Sequence, residues 1–127
     1  MIFEDTDSQE EMFLAFSAGG ISYVLPLADV GQIVVEVPKD MPEITISGQK
    51  GGCAVIIQDD LGFTALTVGK VDGIVRLPPA CQYEMPKEAR SHNNRWIAGV
   101  AFAESSKKLC YLLDCRQLRA RFMQEQL

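Results

Sequence analysis

Apolar residues in this chain fall into short runs separated by glycine, proline and charged clusters, a spacing that suits strands better than long helices. Met12-Phe13-Leu14-Ala15-Phe16 is the first such run. Gly19-Gly20 is a strong turn signal handing over to Ile21-Ser22-Tyr23-Val24-Leu25-Pro26, so the two runs predict a hairpin. Pro26 cannot donate to a ladder, which puts the second strand at an edge, at a bulge or at its own end there. Leu27 to Val34 resumes the strand after a bend. From Glu36 to Gly52 the turn signals Pro38, Pro42, Gly48, Gly51 and Gly52 leave room only for a short strand, Glu43-Ile44-Thr45-Ile46. Cys53 to Ile57 and Phe63 to Val68, around the turn 58–62, predict a second hairpin. Val71 to Leu77 is a further strand, bulged or closely packed at Gly73 and stopped by Pro78-Pro79. Residues 80–94 read as a polar connection running across a face, after which Trp96 to Phe102 and Leu109 to Leu113 form a third hairpin. Asp114 is placed to cap a closing helix in which Leu118 and Phe122 recur at helical spacing. The predicted class is all-β with one short C-terminal helix, a small barrel or sandwich.

Composition narrows the function. The chain has 127 residues, 47% hydrophobic, the make-up of one globular domain with no room for a second. Of its 17 acidic residues, Glu4, Asp5, Asp7, Glu10 and Glu11 lie in the first eleven positions, which leaves 12 acids against 12 bases in the rest. The net charge of -5 therefore belongs to a flexible acidic head, residues 1–11, on a neutral domain spanning 12–127. An acidic chain argues against a nucleic-acid or anionic-membrane surface. No apolar stretch is long enough for a membrane helix and the N-terminus lacks the basic start of a signal peptide, so a cytoplasmic location is expected. In that compartment Cys53, Cys81, Cys110 and Cys115 read as reduced thiols rather than disulfides.

Motifs for chemistry are sparse. His92 is the one histidine, in a loop, and Cys110 and Cys115 are too widely spaced for the usual zinc pair, so no metal and no cofactor are expected. Asp59-Asp60 reads as a hairpin tip, and Gly69-Lys70 lacks the remaining residues of a phosphate loop. The aromatics Phe13, Phe16, Tyr23, Phe63, Trp96, Phe102 and Tyr111 sit in apolar runs, where core packing is the default. A β module without catalytic groups most often binds other proteins.

The order of these blocks resembles the chemotaxis coupling protein family CheW. Phe13-Leu14-Ala15-Phe16, Tyr23-Val24-Leu25-Pro26 and Val30-Gly31-Gln32-Ile33 are similar to the family's F-x-F, Y-x-[IL]-[PD] and V-x-E-I blocks. Ala65-Leu66-Thr67-Val68-Gly69-Lys70-Val71 is similar to its G-[IL]-x-V-D-x-V strand, and Trp96-Ile97-Ala98-Gly99-Val100-Ala101 to its Y-[IL]-x-G-[VL]-[AG] strand. Leu109 to Asp114 with Leu118 looks like the closing strand and helix, so the likeness covers nearly all of 12–118. It implies a pair of small SH3-like β-barrels sharing a core, and a non-enzymatic adaptor between chemoreceptor cytoplasmic domains and a CheA-like histidine kinase. By the same resemblance Val30, Gln32 and Ile33 would line one partner surface, with Val71 and Ile74 near the groove between the barrels.

Two departures matter. The family's segment G-x-x-N-x-R-G-x-x-[IV]-P-[IV]-x-D-[LM], which supplies two strands of the first barrel and an arginine tied to receptor binding, is missing, and Val37 to Gly52 takes its place without an arginine. The first barrel is therefore expected to be reduced, its open edge covered by residues 43–46, by a second copy in a homodimer, or by another partner. The family's Glu is Gln32 here, and its Asp is Gly69. Two other functions compete: a small-ligand-binding barrel with Trp96 or Tyr83 at the pocket mouth, and a degenerate CheW-like domain that works as a homo-oligomeric module.

Overall fold

The computed structural model describes residues 12–46, 52–60, 62–89, 91, 94–103 and 107–124, with only the backbone for 122–124. The head 1–11, His92 and the tip 104–106 lie outside the described residues.

The predicted hairpins form. β1 (Met12–Ala18) pairs with β2 (Ile21–Pro26) across Gly19-Gly20, where φ is positive at both residues, 60° and 82°, a geometry that glycine takes without a Cβ clash. β2 ends at Pro26, and Leu27–Asp29 turns as a short 3-10 segment where extended chain was expected, before β3 (Val30–Val34). β4 (Glu43–Thr45) is the short strand anticipated in the turn-rich stretch. β5 (Cys53–Asp59) and β6 (Gly62–Val68) form the second hairpin, and β7 (Lys70–Arg76) follows after Gly69. β9 (Ile97–Ala103) and β10 (Lys108–Leu113) form the third, and α1 (Cys115–Gln124) closes the chain. Asp114 caps α1 as predicted: its Oδ1 accepts the Gln117 backbone N–H at 3.1 Å, the third amide of the helix.

The stretch 80–94 carries a strand the sequence pattern did not show. β8 (Gln82–Glu84) pairs antiparallel with β9 at Gly99, Val100 and Ala101. Gly99 makes this possible, since a Cβ there would collide with the Tyr83 carbonyl.

The strands make two sheets, one ordered β7-β1-β2-β10-β9-β8 and the other β3-β5-β6-β4. Val68 ends a strand of the second sheet and Lys70 begins one of the first, so the chain crosses between them at the single residue Gly69. Its N–H donates to the Ser17 carbonyl at 2.9 Å, and a Cβ would sit 3.2 Å from that same oxygen. Any side chain has little room at this crossing, which suits glycine there. In β7 the bulge expected at Gly73 is present: Gly73 pairs with Ala15 and Val71 with Phe16, leaving Asp72 as the extra residue.

One core lies between the sheets, joining Leu14, Phe16, Tyr23 and Leu25 to Ile44, Val55, Ile57 and Leu66, with Leu118 of α1 fully buried against it. A second, with Phe13, Val24, Leu77, Ala101 and Leu112, fills the other face of the six-stranded sheet, which therefore curls around it. A small third patch, Ala54, Ile56 and Ala65, is covered by Val34 at the end of β3 and by Val37 and Met41 from the connection into β4. β5 is thus buried on both faces from Ala54 to Ile57, which is why it reads as an unbroken apolar run. Two aromatics depart from the core expectation: Phe63 and Tyr111 are exposed.

β4 answers how the first barrel manages without the missing segment. It pairs in parallel with β6, Ile44 beside Leu66, with Ala65 N–H donating to the Pro42 carbonyl at 2.8 Å. The Thr67 hydroxyl donates to Glu43 Oε2 at 2.8 Å, tying the side chains of the two strands. Residues 43–45 therefore act as the replacement strand, and among the described residues the edge left open at the other end of this sheet is β3.

Candidate interaction site

The five positions carried over from the family lie on two strands. Val30, Gln32 and Ile33 are on β3 and Val71 and Ile74 on β7, each an outermost strand of its own sheet. They divide by burial. Val30 and Val71 are half-buried against the core between the sheets, so their side chains are committed to packing. Gln32 is exposed, and Ile33 and Ile74 are 45% and 55% exposed, so these three can meet a partner without unfolding anything. Val35, 83% exposed just beyond β3, extends the same apolar edge. Its signal in the sequence is Ile33-Val34-Val35, since three consecutive apolar residues cannot all face one core from an alternating strand.

A cleft of about 530 Å³ lies where Asp29, the β5–β6 turn and the start of α1 meet, lined among others by Asp59, Asp60, Asp114 and Cys115. Burial raises the Asp29 carboxyl above its ordinary range, partly offset by a hydrogen bond from the Cys115 thiol. The same surroundings push that thiol well up, through burial first and the neighbouring carboxylates second. This is the reverse of the electropositive setting that activates a cysteine, so Cys115 is held as an inert protonated thiol. Cys110, in a separate cleft of about 390 Å³ with Ser22, Asp72 and Lys108, is likewise raised chiefly by burial. All four cysteines are free.

Two arginines of α1 pair with the aspartates of the β5–β6 turn, pairings that residues so far apart in sequence did not announce. Arg116 donates to Asp60 at 3.0 Å on the surface. Arg119 pairs with Asp59 at 3.2 Å, with side chains only 12% and 14% exposed, and donates to the Gly62 carbonyl at 3.0 Å. Asp59-Asp60 is therefore more than a hairpin tip, because it anchors the helix to the β5–β6 turn. Trp96 packs against the core beside Tyr23, ring centroids 6.3 Å apart, and neither it nor Tyr83 lines either cleft. Among the described residues no three His, Cys, Asp or Glu side chains are grouped to hold a metal ion, and no helix is long and apolar enough to cross a membrane.

No family model matches the sequence, and no curated protein matches it at the sequence level. Among solved structures, the chain is similar to the scaffolding protein TtCheW from Thermoanaerobacter tengcongensis, with a TM-score of 0.65 over 83% of this chain and 89% of that one. Sequence identity between the two is 14%, so the likeness is one of fold. Two sheets of short strands, a shared core and a helix after the last strand agree with it, and the chain has an all-β, CheW-like fold.

Proposed function

We propose that this chain is a non-enzymatic adaptor in bacterial chemotaxis-type signalling, working in the cytoplasm and binding the regulatory domain of a CheA-like histidine kinase, a chemoreceptor cytoplasmic tip, or both. The observation that carries this reading is the fold, shared with a scaffolding protein over most of both chains. The surface chemistry supports it. Gln32, Ile33 and Ile74 are offered to solvent at the positions the family uses for partners, while the two buried thiols are held protonated rather than activated. The reading departs from the family at the receptor side. The replacement strand β4 carries no arginine, which counts against the receptor contact that residue serves in the family and favours the kinase as partner. Calorimetric titration of the full chain against a CheA regulatory domain and a receptor tip tests this, and binding to neither removes the chemotaxis reading.

A second reading has its own observation. The cleft of about 390 Å³ carries Asp72 and Lys108 with Ser22 and Cys110, a polar set beside the apolar Phe16, Tyr23, Ile74 and Val75 that suits a small ligand. A thermal-shift screen separates the two, since a ligand well above its dissociation constant raises the melting temperature without any protein partner.

A further inference from the structure

Among the described residues the two sheets have four edge strands, and three of them carry features that discourage pairing with another chain. β4 and β8 are three residues long and bear Glu43 and Glu84. β7 presents Lys70, Asp72 and Arg76 and is bulged at its middle. β3 differs from all of them. Val30-Gly31-Gln32-Ile33-Val34 holds no charge and no proline, Gly31, Gln32 and Ile33 are exposed, and Val35 beyond them is apolar and exposed. Its one irregularity, at Gly31, comes early and leaves Gln32, Ile33 and Val34 in regular register with Ile56, Val55 and Ala54 of β5.

We propose that β3 is a self-association edge, paired antiparallel about a two-fold axis with β3 of a second copy of this chain, so that two four-stranded sheets join into one. The occupant follows from charge. An uncharged edge has nothing to select a charged partner strand, whereas antiparallel two-fold pairing matches the strand to itself. Charge also sets the register. A two-fold axis through Gln32 centres the pairing on the strand, places Ile33 opposite Gly31 of the second copy, where no side chain competes for space, and sets Asp29 opposite uncharged Val35 of the second copy. An axis between Gln32 and Ile33 would instead oppose Asp29 and Glu36 of the second copy, two like charges, which is unfavourable. A five-residue edge is a small interface, so the dimer is weak and forms at high local concentration, as on a crowded signalling surface. The net charge of -5 opposes it, so added salt strengthens it. This inference stands on edge chemistry and not on the adaptor reading; because that reading uses the same Gln32 and Ile33, a second copy and another protein partner exclude one another on β3.

Sedimentation velocity on the full chain from about 10 μM to about 1 mM, at low and high salt, is the test. The weight-average mass should rise toward that of a dimer, more steeply at high salt. Ile33→Lys should weaken association at least tenfold, while Ile74→Lys, on the other exposed edge, leaves it unchanged. Cross-linking gives a second readout that does not depend on how the lysine variant folds. A two-fold through Gln32 brings the Cβ atoms of a Gln32→Cys pair to about 5 Å, near disulfide range. That variant should form a reducible dimer faster than Glu36→Cys or the unmodified chain. A monomer at every concentration, or a dimer indifferent to Ile33→Lys, or Gln32→Cys cross-linking no faster than Glu36→Cys, overturns the proposal.

Discussion

Replacing Ile44 by alanine tests the packing of β4 on β6. Ile44 is 1% exposed and sits in the core between the sheets, beside Leu66 of β6. The change removes three carbon atoms, about 2.4 kcal/mol of transfer free energy at about 0.8 kcal/mol each. If the surrounding side chains stayed in place, the void would add about 2 kcal/mol more. β4 is only three residues long and can settle inward, so the expected loss is about 3 kcal/mol, a large share of the about 5–15 kcal/mol that holds a domain folded. Chemical denaturation of Ile44→Ala against the unmodified chain measures it, with Val35→Ala as a control that should stay within about 0.5 kcal/mol because Val35 is exposed. Hydrogen exchange adds a local readout. The Ala65 amide, bonded to the Pro42 carbonyl, should lose protection more than amides of β1 or β2. A loss below about 1 kcal/mol with Ala65 protection unchanged would mean that β4 is not packed on β6, and the account of the first barrel would fail.

Gly99→Ala should lift β8 off β9, because the new methyl meets the Tyr83 carbonyl and comes within 3.2 Å of the Glu84 Cα. About 2–3 kcal/mol of destabilisation is expected, with tryptic cleavage gained around Lys87, and a stability equal to the unmodified chain would contradict the pairing. Arg119→Ala breaks the nearly buried pair with Asp59 and the bond to Gly62, and should cost about 3 kcal/mol, against under about 1 kcal/mol for Arg116→Ala at the exposed Asp60 pair. Equal costs would refute the assigned burial. In native protein Cys53 and Cys81, both half-buried, should react with a thiol reagent well before Cys110 and Cys115. Because folding raises Cys115 above its ordinary value of 9.0, the folded state holds that proton more tightly than the unfolded state does. The associated stability is present below pH 9 and is lost as pH rises beyond it, so the denaturation midpoint should fall above pH 9, and less steeply in Cys115→Ala. An alkaline slope unchanged in that variant would place the titrating group elsewhere.

Much of this fold was written locally. The β1–β2, β5–β6 and β9–β10 hairpins follow from apolar runs separated by turn residues, the β7 bulge from Gly73, and the start of α1 from Asp114. What escaped was nonlocal. β8 is three mostly polar residues whose pairing depends on the space left by Gly99, fifteen positions beyond Glu84. The parallel partner of β4 lies across the intervening β5, and no turn signal encodes a parallel register. Arg119 and Asp59 meet only because the helix folds back on a distant turn. At the candidate site the positions named from the sequence fall on two edge strands, but the sequence could not divide core from surface: Val30 and Ile33 are both β-branched, and only the sheet decides that one packs inward and the other faces solvent.

The central proposal is that this chain, with its CheW-like fold, works as an adaptor, and isothermal titration of the full chain with a CheA regulatory domain tests it most directly. Saturable one-to-one binding is predicted, weakened at least tenfold by a charge at Ile33 or Ile74 and unchanged by one at Ile21, exposed outside both edge strands. No heat of binding at any accessible concentration, or binding indifferent to Ile33 and Ile74, would contradict the account.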